Sequence, residues 1–70
     1  MSETKTLGDV LPEEIARVTE ILGHYQQIGP AGAFGVMMIK ASLERATRSL
    51  ASGDIGLMLV CLNDLKEYSE

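Results

Sequence analysis

Apolar side chains recur three and four residues apart along nearly the whole chain, a period that fits amphipathic helices and does not fit strands. Leu11, Ile15, Val18, Leu22 and Tyr25 carry it first, and Ile21 and Ile28 widen the same stripe. Val36, Ile39, Leu43, Ala46 and Leu50 repeat it as a heptad-like seam suited to antiparallel packing. A third run follows from Ile55 to Tyr68. The apolar content is mainly aliphatic, Trp is absent, and the aromatics are Tyr25, Phe34 and Tyr68. That composition favours packed helices over a β-sandwich. The expected fold is all-α.

Local punctuation divides the runs. Pro12 followed by Glu13 and Glu14 reads as a helix start, because proline's fixed φ suits a first turn and acids complement the helix dipole. Residues 1–10 are therefore expected to be a flexible tail, and residues 11–70 a single helical domain. Gly29-Pro30 predicts a stop near Gln27 or Ile28. Residues 29–35 are the least determined segment, and the second helix is placed from about Ala31 to Ser52. In Ser52-Gly53-Asp54, glycine fits a left-handed C′ position and aspartate fits the N-cap of a third helix from Ile55 to about Tyr68. A connection this short makes helices two and three an antiparallel hairpin.

Size then raises the question of what completes the core. A chain of about 60 residues buries only ~60% of its unfolded surface, and small domains usually add disulfides, a metal or oligomerisation. Cys61 is the single cysteine, so no disulfide forms within the chain. His24 and Cys61 are too few for a zinc site. Oligomerisation remains.

Projection of the third helix puts Ile55, Met58, Leu59, Leu62 and Leu65 on one face, and Leu57, Cys61 and Tyr68 extend the arc to roughly 200°. Phe34, Met37, Met38 and Ala41 lie off the seam of the second helix. The expectation is a twofold homodimer with Met58, Cys61, Leu62 and Leu65 at its interface. The competing arrangement is a monomer in which the third helix is central and flanked on both sides.

Charge and motif content narrow the function classes. The formal charge is −4, and a nucleic-acid binder needs a basic stripe to displace counterions. As a recognition helix, Ile55–Tyr68 offers one lysine and no row of base-reading side chains. His24 has no Ser, Cys or acid set by spacing to work with it. Cys61 lies in an apolar run, where a thiol acts as a small hydrophobe. The glycines of residues 29–35 lack the Lys-Ser/Thr of a phosphate loop. A compact helical enzyme of the chorismate-mutase kind would need inward-facing cations, yet Arg17, Arg45 and Arg48 fall off the apolar stripes. No enzyme, cofactor or metal is expected.

Met1–Val10 has no apolar signal region, and the longest apolar stretch, Leu57–Leu62, is too short to cross a bilayer, so a cytoplasmic location is expected. A protein-binding role is what these features leave. Phe34, Met38, Arg45, Arg48, Glu67 and Tyr68 are the candidate partner-binding residues, since Arg and Tyr are favoured in binding hot spots and Met adapts to irregular surfaces. Lys40, Glu44 and Arg48 stand four apart as a surface ladder.

Ile28-Gly29-Pro30-Ala31-Gly32-Ala33-Phe34-Gly35, Leu50-Ala51-Ser52-Gly53-Asp54 and Asn63-Asp64-Leu65-Lys66-Glu67-Tyr68 resemble segments of small proteins of temperate Pseudomonas-type phages. In size and helical plan the chain is similar to the phage-encoded quorum-sensing anti-activators. Those are small helical dimers that bind a LuxR-type transcription regulator and a pilus-assembly ATPase. The likeness covers about the last two-thirds of the chain and carries no contact residue across. It implies a homodimer that inhibits or modulates a larger host protein by stoichiometric binding in the host cytoplasm. A structural, assembly or antitoxin-like dimer subunit is the alternative.

Overall fold

The first helix begins about one turn before Pro12. In the computed structural model, which describes residues 6–69, α1 spans Leu7–Ile28. Thr6 precedes it in an extended conformation, and the Asp9 carboxylate accepts from both the Thr6 amide at 3.2 Å and its hydroxyl at 3.1 Å. This local cap carries the helix past the proline. Pro12 removes only the bond to the Gly8 carbonyl, which lies at an exposed residue where water can take its place. The expected tail is thus shortened: Leu7–Val10 are helical, and residues 1–5 lie outside the described residues.

Gly29 ends α1 with a φ of 83°, a value that glycine adopts without strain. A turn of 3-10 helix, Gly29–Gly32, leads into α2 (Ala33–Ser52), which starts two residues later than expected. Gly53 then takes the left-handed position with φ 73°, and its amide bonds the Ser49 carbonyl. Asp54 caps α3 (Ile55–Lys66) by accepting from the Leu57 amide at 3.1 Å. Asp54→Ala is expected to cost about 1 kcal/mol, the usual value of an N-cap, read as a lower midpoint in urea. An unchanged midpoint would mean that packing alone holds the start of α3.

No strand occurs among the described residues, and the helices pack together around one core. Leu11, Val18 and Ile21 come from α1, Ile39 and Ala46 from α2, and Met58, Cys61, Leu62 and Leu65 from α3. Two serines, Ser42 and Ser49, are as buried as the aliphatics, and both lie on the core face of α2 beside Ala46. Ser49 Oγ donates to the Ala46 carbonyl at 2.7 Å, which satisfies the hydroxyl without a partner from another helix. Small side chains along this face let the neighbouring helices approach α2 closely.

The four residues expected at a dimer seam are therefore consumed inside the chain. Because α3 lies against both α1 and α2, the centre of its wide apolar arc, Met58, Cys61, Leu62 and Leu65, is buried by the chain itself. Ile55 and Leu59, expected on the same face, and Leu57, expected to extend it, stay outside, as does Val60.

Arg17 fastens the end of α3. Its guanidinium donates to the carbonyls of Tyr68 at 2.9 Å and Leu65 at 3.0 Å, and it also pairs with Glu14 at 2.9 Å. A cation on the last carbonyls satisfies acceptors that a helix end leaves open and complements its dipole. Tyr68, beyond the helix, turns its hydroxyl to Ser42 Oγ at 2.9 Å and towards the Met38 carbonyl at 3.4 Å.

Candidate interaction surface

With the core filled from within, the informative side chains are the large apolar ones left outside. They are Ile28 on α1, Phe34, Met37 and Met38 on α2, and Ile55, Leu57, Leu59 and Val60 on α3. Isolated exposed aliphatics are ordinary on a protein surface, whereas adjoining ones mark an interface.

One group adjoins a basic strip. Arg45 Nη2 pairs with Asp64 at 3.2 Å and reaches Ser42 Oγ at 3.3 Å, which ties a flank of α2 to a flank of α3. Val60 and Leu57 stand four and seven residues before Asp64, so helical spacing puts them on that same flank of α3. On α2 the same reasoning aligns Met38, seven residues before Arg45, and Arg48, three after it. Arg45 and Arg48 on α2 and Val60 and Leu57 on α3 thus share one flank towards the Gly53 turn, and Met38 lies about 10 Å from Arg45 along α2 in the other direction, beside Tyr68.

Arg48 lies 75% exposed and pairs with Glu44 at 2.9 Å, the second half of the expected Lys40–Glu44–Arg48 ladder. Ion pairs this exposed add little to stability, so both guanidinium groups are available to an acidic partner at small cost. Glu67 is exposed at the end of α3, and Tyr68 is half-buried with its hydroxyl occupied by Ser42. Of the six expected partner-binding residues, Tyr68 reaches Ser42 and the Met38 carbonyl, Arg45 reaches Ser42 and Asp64, and Arg48 lies about one turn further along α2 and pairs within its own helix. Phe34 is the most exposed of the large apolar residues at 68%, one turn beyond Met38 towards the α1–α2 turn. His24 is exposed on α1, and Cys61 is a buried free thiol.

Leu57 and Val60 were not among the expected contacts. Their signal was present in the period of α3, since Val60 falls opposite its core line of Met58, Cys61, Leu62 and Leu65 and Leu57 lies at its edge. Arg17 was set aside as off the apolar stripe, and its role needs the end of α3 to be beside it in space.

A cleft of about 200 Å³ is lined by Arg17, Glu20, Ile21 and Ser69, below the ~300–1,000 Å³ of ordinary ligand pockets. Among the described residues no group of three or more His, Cys, Asp or Glu side chains is placed to hold a metal ion, and no helix is long and apolar enough to cross a membrane. No protein-family model matches the chain, and no curated protein or solved structure matches it either.

Proposed function

We propose that this chain is a non-enzymatic protein-binding module that acts as a homodimer and seats a larger protein on the α2–α3 surface. The observation that carries this reading is the exposure of eight large apolar side chains, among the described residues, outside the core. Folding of one chain leaves them in water, and their burial by a second protein is the simplest relief. Leu57, Val60 and Met38 supply the apolar contact. Arg45 and Arg48 beside them set orientation and favour an acidic patch on the partner.

The mechanism is occlusion. The module covers a surface that its partner needs, and no covalent bond is made or broken. The resemblance to phage anti-activators supplies the class of partner: a host regulatory or motor protein, of the LuxR-type regulator or pilus ATPase kind.

Titration of the purified chain into each of those two proteins, followed by light scattering, tests the reading. A complex of fixed stoichiometry is expected with at least one of them. Charge reversal in the double variant Arg45→Glu/Arg48→Glu should weaken it tenfold or more. Absence of a complex with either protein at tens of micromolar would overturn the partner class, and binding indifferent to the reversal would overturn the site.

A further inference from the structure

α3 is tied to the rest of the chain differently at its two ends. At its start every residue from Ala51 to Leu57 is exposed, and Asp54 bonds Ser52 and Leu57 close beside it. At its far end the bonds come from the other two helices. Arg17 of α1 donates to the carbonyls of Leu65 and Tyr68, Ser42 of α2 meets the Tyr68 hydroxyl, and Arg45 of α2 donates to Asp64. Ser42 is 2% exposed, and where Ser49 bonds a carbonyl of its own helix, Ser42 turns its hydroxyl to the chain end. A buried hydroxyl without a partner is costly, so this pairing holds Tyr68 in place.

α3 is also the element best able to leave. It has 12 residues against 22 in α1 and 20 in α2, and isolated helices below ~12–15 residues are marginal in water. Its first turn holds Gly56, and Val60, Asn63 and Asp64 follow, all of low helix propensity. It joins α2 through Gly53, at φ 73°, and an element-terminal residue of this kind can absorb a change of direction. α1 and α2 are locked together instead. At their joined end Gly32 and Gly35 bring the start of α2 so close that an added Cβ would stand 2.5 Å from Tyr25. Opening short of complete unfolding follows supersecondary boundaries, and the least supported element leaves first.

We infer that α3 is a hinged lid, which turns about Gly53 and is latched at its other end by the bonds of Arg17, Ser42 and Arg45 to Asp64, Leu65 and Tyr68, while α1 and α2 stay paired beneath it. The closed state is the one described above. Release of the latch bares the buried lines of Leu11, Val18 and Ile21 on α1 and of Ile39 and Ala46 on α2. It also bares Met58, Cys61, Leu62 and Leu65 on the lid itself. Whatever reaches these faces must first break the bonds at the end of α3. An ion pair as exposed as Arg45–Asp64 adds little, so Arg17, Ser42 and Tyr68 carry the latch. The lid is a property of the single chain and holds whether or not a larger protein or a second copy binds.

Cys61 reports the opening, because it is the single thiol of the chain, lies on the lid and is 3% exposed. The test is the rate at which dithiobis(nitrobenzoate) labels it in the full chain, at fixed pH and well below the urea midpoint. Tyr68→Phe keeps the ring and removes the hydroxyl, and should speed labelling about fivefold, the worth of a typical hydrogen bond. Arg17→Gln removes charged bonds to two carbonyls and should speed it about tenfold or more. Gly23→Ala strengthens α1, which is helical with the lid open or closed, so it should raise the urea midpoint and leave the labelling rate unchanged. The rate should also depend on urea less steeply than unfolding does, since opening exposes less surface. Labelling that slows in Gly23→Ala in step with its midpoint, and with the full urea dependence, would mean that Cys61 is reached by complete unfolding and would overturn the lid. Rates unchanged in Tyr68→Phe and Arg17→Gln would overturn the latch.

Discussion

Leu65→Ala is expected to remove most of the stability of this fold. Leu65 is fully buried in the one core to which all three helices contribute, and its carbonyl receives the Arg17 guanidinium. Truncation of a buried leucine costs about 2–5 kcal/mol, from lost transfer free energy and from the cavity left behind. A domain of this size holds roughly 4–10 kcal/mol in total, at ~0.05–0.15 kcal/mol per residue. The loss is therefore a large share of the whole, and thermal unfolding followed by circular dichroism should move down by tens of degrees or lose its cooperative transition. Leu59→Ala, the same change on the exposed side of α3, should cost under about 1 kcal/mol. Equal effects at the two positions would show that α3 is not docked by the face described above.

Gly32→Ala is the second large effect, and it acts by excess rather than loss. A Cβ at Gly32 would stand 2.5 Å from the Tyr25 carbonyl oxygen and 3.3 Å from Ile28 Cβ. A backbone oxygen in the last turns of α1 cannot swing aside, so α1 and α2 must separate, at about 1–3 kcal/mol or more for overpacking of this kind. Gly35→Ala meets the Tyr25 ring at the same distance, but a ring can rotate, so the smaller effect is expected there together with a change in tyrosine fluorescence. Gly23→Ala meets nothing within 4 Å in the middle of α1 and should stabilise by about 0.5–1 kcal/mol. Urea midpoints ordered Gly23→Ala, wild type, Gly35→Ala, Gly32→Ala from high to low would bear this out. A neutral Gly32→Ala would mean that the α1–α2 turn is looser than its packing implies.

What could be read from the sequence was local. Gly53 and Asp54 declare themselves because a left-handed glycine and an N-cap carboxylate act within four residues of backbone. The stop at Ile28 follows from Gly29 in the same way. Thr6 and Asp9 form an equally local cap, but Pro12 has the stronger conventional meaning and hid it.

The candidate surface was only half legible, because periodicity finds the apolar face of a helix without saying how much of it the same chain covers. On α3 the arc of about 200° was correctly wide. Met58, Cys61, Leu62 and Leu65 are inside, while Ile55, Leu57 and Leu59 of the same arc are left outside. Arg45 is brought to Asp64 across 19 residues of sequence, and Arg17 to Tyr68 across 51, and no spacing rule reaches that far.

The serine-and-alanine face of α2 has a consequence for how the chain can change over time. Ser42, Ala46 and Ser49 are buried on the core face of α2, so what selection meets at these positions is a ceiling on volume, joined at Ser42 by the hydroxyl that Tyr68 and Arg45 engage. Exchange of Ser49 for Ala keeps the volume, a glycine in mid-helix costs about 0.5–1 kcal/mol, and a Leu or Val that any hydropathy scale would welcome overpacks the face. The most constrained strip of the protein is thus the one with the least side chain on it. Variants built to strengthen the core lose by adding volume within this strip.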